Sequence, residues 1–417
     1  MEKYSEYKDS SMQWLGEIPS HWGKRKLKYL FTERSEKNHP DEPMLSATQS
    51  EGVILQSKYK NRVVVVNTGF EGLKLVKVGD FVIHLRSFQG GIEYAYDQGI
   101  ISSAYTILAP NQTEYSNFYK YLLKSSSFID LLKICVTGIR EGQNINYSRL
   151  KQYFIPLPPL TEQQAIVSYL DDKCDKIDQL LENKAKELEL LAEMKQRVIA
   201  DAVTKGLNPD ATMKDSGIPW LQQIPQHWGC AKLKAFCKDN KEKNKENVES
   251  QVLSLSYGRV IIKQNINFGL VPDSYETYQI VNPGYIILRL TDLQNDHKSL
   301  RTGLVKDRGI ITSAYVGLIV NNMDSSYAQL VLHSYDIVKV FYGMGGGLRQ
   351  SMSYQDIANL YIPIPPIEEQ RAIVAHIEEK VSKIDALAEK LQKEIESIKE
   401  YKQRLISDVV TGQIKVC

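Results

Sequence analysis

The side chains best suited to chemistry in this chain are arginines, lysines, asparagines and glutamines gathered beside glycines at matching places in its two halves. In the first half they are Lys58, Lys60, Arg62, Arg86, Ser87, Gln89, Arg140, Gln143, Asn144 and Asn146. In the second they are Arg259, Lys263, Gln264, Arg289, Asp292, Gln294, Asn295, Lys298, Arg301, Arg349, Gln350 and Ser351. A guanidinium matches the edge of guanine, a carboxamide matches adenine, and an ammonium anchors phosphate. Taken singly, each is an ordinary solvated residue. Their clustering at equivalent positions makes them candidates for contact with DNA. Gln143-x-x-x-Tyr147 and Gln350-x-x-x-Tyr354 point to one loop framework carrying exchanged reading residues.

Catalytic constellations are absent from the sequence. The run Gly343 to Gly347 (GMGGG) lacks the strand–GxGxxG–helix setting of a nucleotide loop, and the first half reads VTGIREG there. It is read as a structural or target-contacting loop. No Walker lysine motif, HExxH, GxSxG or (N/D)PP(Y/F/W) occurs. The triplets His21-Trp22-Gly23 and His227-Trp228-Gly229 are read as a tryptophan packed in each core with its histidine hydrogen-bonded nearby; a partner surface is the alternative.

Composition sets the outer bounds. A net charge of +2 gives no global basic signature, so a nucleic-acid surface must be a local patch. Five cysteines without a CxxC pair argue against a disulfide framework or a zinc site. Cys230 and Cys237 stand where the first half has Lys24 and Phe31. The polar start MEKYSEYKDSS and the lack of a run of about 20 apolar residues lead to the expectation of a cytoplasmic protein.

The elements that position these residues are duplicated. Lys8 to Lys28 and Lys214 to Lys234 share 13 of 21 residues, and Ile155 to Asp178 and Ile362 to Asp385 share 13 of 24, whereas the stretches between have drifted. Segments kept alike suit two copies of one partner; drifted segments suit two different targets. A period of half the chain means duplicated domains and not a solenoid. Each half opens with a mixed α/β globule whose strand runs are RVVVVNTG, GDFVIHL, GIISSAYTIL, GYIILRL and GIITSAYVGLIV, with helices at 118–134 and 327–340. Each closes with a long helix entered through IPxPP, where Thr161 and Gln164 form a candidate capping box. Heptad spacing runs through Leu170, Cys174, Ile177, Leu181, Leu188, Leu191, Val198 and Ala202, and through Ile377 to Val409, interrupted by Lys184, Lys195 and Lys402. That predicts a coiled-coil seam, most simply the two helices packed antiparallel, with a rod of about 65 Å between two readers. At about 3.4 Å per base pair this bounds their separation at roughly 19 base pairs.

Together these motifs make the chain resemble the specificity (S, HsdS) subunits of type I restriction–modification systems, over essentially its whole length. The resemblance is carried by WLGEIPSHWGKRKL and WLQQIPQHWGCAKL, GIISSAY and GIITSAY, IPxPPxxEQ(Q/R)AIV, and the closing KQRVIADAVTKG and KQRLISDVVTGQ. It implies two globular target-recognition domains joined by two long helices in an antiparallel coiled coil, with internal pseudo-twofold duplication. The expected partition is 1–160, first target-recognition domain with its N-terminal arm; 161–206, central helical spacer; 207–366, linker and second target-recognition domain; 367–417, C-terminal helical spacer. It implies a non-catalytic subunit whose domains each read half of a bipartite, asymmetric double-stranded DNA site. Its partners are then two modification methyltransferase subunits (HsdM), which methylate adenine, and a restriction subunit (HsdR) joined through the complex. S-adenosylmethionine, ATP and Mg are expected on those partners and none on this chain. Pro159, Glu162, Gln163, Ile166, Pro366, Glu369, Gln370 and Ile373 fall in the assembly region by this resemblance. Gln413 stands where Gly206 stands, which leaves the helix end open. The alternatives are an S-like subunit of a modification-only or related restriction assembly, and a protein-only tandem-repeat scaffold.

Overall fold

Both halves build the same sheet, hairpin and long helix in the same order. The computed structural model describes residues 2–59, 69–137, 144–263, 274–293, 296, 300–344 and 351–416, the side chains of 113–116 and 343 excepted. Of the expected strand runs, 62–68 lie outside the described residues. GIISSAYTIL and GIITSAYVGLIV, each read as one strand, are each two: Gly99–Ile101 and Thr106–Pro110, then Gly309–Ile311 and Val316–Val320. Hydroxyls break them. Ser102 and Thr312 accept from the N–H groups of Ala104 and Ala314 at 3.3 Å, and their carbonyls accept from Tyr105 and Tyr315 at 3.2 Å, which makes the same turn twice. The helix expected at 118–134 is likewise two, Thr113–Leu122 and Ser126–Ile134, because Ser125 caps the second by accepting from Phe128. Its counterpart, Ser325–Ile337, is capped by Asp324.

The chain divides into two compact units, Met1–Ala185 with Lys393–Cys417, and Lys186–Gln392. Each centres on a four-stranded antiparallel sheet. In the first unit the order is Phe31–Arg34, Thr106–Pro110, Phe81–Ile83, Glu93–Tyr94; in the second it is Cys237–Asp239, Val316–Val320, Ile286–Leu288, Thr302–Leu304. A hairpin accompanies each sheet, Leu45–Thr48 with Gly52–Leu55 and Leu253–Ser256 with Arg259–Ile262. In each unit a short strand, Phe154–Leu157 or Tyr361–Ile364, pairs antiparallel with Gly23–Lys26 or Gly229–Lys232 and leads into a long helix. These central and C-terminal helices run Leu160–Lys205 and Ile367–Val410. The central helix begins before Thr161, with the Gln163 N–H on the Pro159 carbonyl at 2.9 Å, so the expected capping box is replaced by a proline-carbonyl start.

The heptads form a seam. Partly buried side chains recur at Ile177, Leu181, Lys184, Leu188, Leu191, Lys195 and Val198, and buried or partly buried ones at Ile377, Val381, Ile384, Ala388, Leu391, Ile395, Ile398, Lys402, Leu405 and Val409. The lysines interrupting the apolar stripe are each answered from the other helix. In the first unit Lys184 lies 2.7 Å from Glu394 and Lys402 lies 2.6 Å from Asp178; in the second, Lys195 lies 2.7 Å from Asp385. Partner numbers fall as residue numbers rise, so the pairing is antiparallel. Such half-exposed pairs contribute at most about 1 kcal/mol each, and their stronger effect is to disfavour other registers.

Each globule's core is completed by the end of one long helix. Leu405, Ile406, Val409 and Val410 pack with Trp22, Ile166 and Leu170 in the first unit, and Ile199, Ala202 and Val203 pack with Trp228, Ile373 and Ile377 in the second. Both helices end on a left-handed glycine against the tryptophan: Gly206 at φ 75° and Gly412 at φ 77°. Gly412 closes with a Gln413 N–H to Asp408 carbonyl bond of 2.7 Å, a Schellman end, whereas the Gly206 N–H reaches the Ala202 carbonyl at 3.2 Å. The one-residue offset between the two copies is therefore a change of cap type.

The first turn of each helix is tied to the same triplet. Glu162 accepts from Trp22 Nε1 at 2.9 Å, from the Tyr4 hydroxyl, and faces His21 Nε2 at 2.8 Å. Glu369 faces His227 Nε2 at 2.8 Å, while Trp228 Nε1 has no hydrogen-bond partner among the described residues. Gln163 and Gln370 donate to the carbonyls of Pro158 and Pro365 at 2.8 and 2.9 Å. Tryptophan burial with a bonded histidine is thus what the HWG triplets provide.

Two pairs of substitutions test this junction. A Cβ on Gly412 lies 2.3 Å from Pro19 Cδ, whereas on Gly206 the nearest atom is Trp228 Cζ2 at 3.1 Å. Gly412→Ala is expected to destabilise the chain by about 2–4 kcal/mol and Gly206→Ala by about 1–2 kcal/mol, read from urea midpoints. Glu162→Ala leaves three groups without their partner and is expected to cost about 2–3 kcal/mol, against about 1 kcal/mol or less for Glu369→Ala. Equal losses in either pair would contradict the asymmetry.

Candidate nucleic-acid interface

The residues proposed for DNA contact fall into three groups. Lys60, Arg62, Arg140, Gln143, Gln264, Gln294, Asn295, Lys298, Arg349 and Gln350 lie outside the described residues. Lys58, Arg86, Gln89, Asn144, Asn146, Arg259, Lys263 and Ser351 are exposed, and Arg289 and Asp292 are partly so. Several of these are steered by acids: Lys58 lies 2.8 Å from Asp97, Arg259 lies 3.6 Å from Asp385 and Arg289 lies 3.6 Å from Asp296. The Lys58 ammonium, with the Leu55 N–H, holds the Asp97 carboxyl below its usual range. Asn146 also caps a helical turn by accepting from the Arg149 N–H at 3.0 Å.

The remaining two require correction. Ser87 is fully buried, and its hydroxyl accepts from the His84 N–H at 2.9 Å. Arg301 is fully buried as well. Its guanidinium donates to the carbonyls of Arg289 at 3.0 Å, Thr291 at 2.8 Å, Asp292 at 3.3 Å and Asp296, and to the Tyr342 hydroxyl at 3.0 Å. Neither side chain can reach a base while the globule is folded. Both hold loops that carry exposed or partly exposed members of the set.

The structure brings the loop after the third run of each sheet order into focus. In the first globule this is 84–92, with Arg86 and Gln89 exposed; in the second it is 289–301, and the Met352 N–H on the Leu290 carbonyl at 2.9 Å brings Ser351 beside it. The buried groups beneath these loops were missed at the sequence level. Glu93, His84 and Lys124 lie under the first, and Asp336 accepts from the Arg301 N–H at 2.7 Å under the second. An acid set between apolar neighbours, as in Ile92-Glu93-Tyr94 and Tyr335-Asp336-Ile337, was the available signal. Burial raises the Asp336 carboxyl, partly offset by the Arg301 N–H, and burial pushes His333 down to about 4 and the Cys237 thiol up to about 12. A second missed feature is the basic strand Gly23–Lys26, where Lys24 and Lys26 lie over the Phe154 ring at 5.6 and 5.4 Å. Its counterpart holds Cys230 and Ala231 in the middle but keeps Lys232 over the Tyr361 ring at 5.8 Å, so the strand is basic in both globules and more so in the first.

Of the residues carried over for assembly, Pro159 and Pro366 are exposed. Ile166 and Ile373 are fully buried, and Gln163, Gln370 and Glu162 are buried in the junction already described; Glu369 is partly buried. Their side chains build the junction from within, which leaves the two prolines and the outer face of the first turns accessible. Among the described residues no cluster of His, Cys, Asp and Glu could hold a metal ion, and no helix is long and apolar enough to cross a membrane.

Comparison with known proteins agrees with this geometry. The family described as the type I restriction modification DNA specificity domain matches residues 13–190 and 228–397, once per half. The chain is 26% identical over 317 residues to a putative type I restriction enzyme MjaX specificity subunit of Methanocaldococcus jannaschii, covering 74% of this chain and 71% of that one. It is 27% identical over 361 residues to the MjaVIII specificity subunit of the same organism, covering 82% and 80%. A chain solved in work on complex assembly and conformational transition of the type I R-M system shares the fold, with a TM-score of 0.67 at 15% identity over 95% of this chain and 99% of that one. With the duplicated globules and paired helices, these matches show that the chain belongs to the specificity subunits of type I restriction–modification systems.

Proposed function

We propose that each globule reads one half of a bipartite, asymmetric duplex DNA site, and that the paired helices set the spacer between the halves. The observation that carries this reading is the contrast within the duplication. The four-stranded sheet and the turns at Ser102 and Thr312 are the same in both globules, while the loops after Ile83 and Leu288 rest on unlike buried groups. A shared frame with exchanged loops is what two different half-sites require. The exposed Arg86 and partly exposed Arg289 of those loops, with the exposed Lys58, Arg259 and Lys263 outside them, supply phosphate anchoring and base contact, with affinity that falls steeply with added salt.

On this reading the chain performs no chemistry of its own. Two HsdM subunits, docked through the two copies of the helix-start region, place their active sites on adenines in each half-site and bring S-adenosylmethionine. An HsdR subunit brings ATP and Mg. The exposed Pro159 and Pro366 and the repeated first helical turns support one docking surface used twice. The working site is the cytoplasm, where the duplex target lies.

The ruler follows from helix arithmetic. Removing one seven-residue repeat from each long helix shortens the pair by about 10 Å, equal to about 3 base pairs. Selection of bound duplexes from a randomised library is expected to return both half-sites unchanged with a spacer shorter by about that amount. Recovery of the original spacer with intact half-sites would overturn the ruler.

A further inference from the structure

We infer that each globule sets the shape of its reading loop with one buried charge of opposite sign, Glu93 in the first and Arg301 in the second, so that these two residues are half-site-specific positioning residues. The inference rests on the DNA-reading function proposed above and names how the two loops are held.

The loops are topologically equivalent. Loop 84–92 joins Phe81–Ile83 to Glu93–Tyr94, and loop 289–301 joins Ile286–Leu288 to Thr302–Leu304, with Phe81 opposite Tyr94 and Ile286 opposite Leu304. Counting back along this register, Arg301 corresponds to Gly91 and Glu93 to Gly303. Each anchor therefore faces a glycine in the other copy. A Cβ at Gly91, which has φ 87°, would lie 2.5 Å from the Leu123 carbonyl, and one at Gly303 would lie 2.6 Å from Leu255 Cδ1. At 91 an arginine would meet backbone at a left-handed φ, and at 303 a glutamate would have to displace the Leu255 side chain. The two anchors are alternative solutions to one task.

Their chemistry fits that task. Glu93 is fully buried, with Lys124 Nζ 2.5 Å from one carboxylate oxygen and His84 Nε2 3.5 Å from the other. The His84 Nδ1 accepts from the Arg86 N–H at 3.2 Å, which places the ring proton on Nε2, toward Glu93. Lys124 also donates to the Gln49 carbonyl at 2.9 Å. Among the described residues neither carboxylate oxygen nor His84 Nε2 makes a hydrogen bond, so the carboxylate acts on Lys124 and His84 by charge at ion-pair distance, and His84 in turn holds the backbone of Arg86, an exposed member of the reading set. In the second globule the fork of Arg301 gathers the carbonyls of Arg289, Thr291, Asp292 and Asp296, Asp292 being held at φ 58°. A planar guanidinium with five donors can meet several carbonyls at once, whereas an ammonium has no such fork. Breaking the Arg301 anchor leaves buried carbonyls unpaired, and neutralising Glu93 leaves the Lys124 ammonium without its buried counter-charge, so each loop must rearrange.

The test uses the full chain in complex with its modification subunit, the wild type and three variants, and selection of methylated duplexes from a library randomised in both half-sites. Glu93→Gln is expected to lower discrimination at the first half-site by about tenfold and leave the second unchanged. Arg301→Lys is expected to lower discrimination at the second by about tenfold and leave the first unchanged. Tyr342→Phe, which removes the hydroxyl between Arg301 and the Asp296 carbonyl, is expected to act on the second half-site alone and more weakly. Wild-type stringency at both half-sites in all three variants would overturn the inference, as would any variant that degrades both equally. A wild-type complex without a bipartite preference would overturn the functional reading and the inference with it, an outcome visible before any variant is compared.

Discussion

The last turn of each long helix fills the core of a globule, and the rest of the structure depends on that packing. Trp22 and Trp228 are the largest fully buried side chains of their units, and each lies against a helix end closed by a left-handed glycine. Burying a tryptophan with several aliphatic neighbours removes enough apolar surface to contribute several kcal/mol at about 25 cal/mol per Å². Neither globule is complete without it. Leu405, Val409 and Val410 come from the C-terminal helix to the first core, and Ile199, Ala202 and Val203 come from the central helix to the second. The helices consequently belong to the globules as much as to the seam between them, and the seam lysines refine a register that helix ends and starts already define.

Much of this was legible in the residues because the signals are local. Identity between the two copies marks the junctions, heptad spacing marks the seam, and the prolines of IPxPP mark the helix entries. Trp22 and Trp228 read as core from their bulk and their repeated histidine. Where the reading failed, the deciding atoms came from elsewhere in the chain or from a side-chain hydroxyl. GIISSAYTIL looks like one strand until the Ser102 hydroxyl competes for a backbone N–H. Ser125 divides a stretch whose apolar periodicity continues through it.

Arg301 is the most instructive case. In KSLRT it sits in a polar stretch, and its type suits a guanine edge, so the sequence favours a surface. Its burial depends on carbonyls from residues 289–296 and on Asp336, brought together only by the fold. Arginine is the side chain for which such an error is easiest, since five donors serve a ring of carbonyls as well as they serve a base. Glu93 carried a clearer hint, being an acid between Ile92 and Tyr94 in a strand. The general lesson for a duplicated reader is that divergence appears twice, in the residues exposed on the loops and in the buried groups beneath them.

The central claim is that this chain alone dictates which DNA is modified. Methylome sequencing of a host expressing the chain with its modification subunit, before and after deletion of the chain, tests it most directly. The account predicts methylated adenines in one bipartite, asymmetric motif that disappear on deletion while the modification subunit is still expressed. Methylation that persists unchanged without the chain would contradict it.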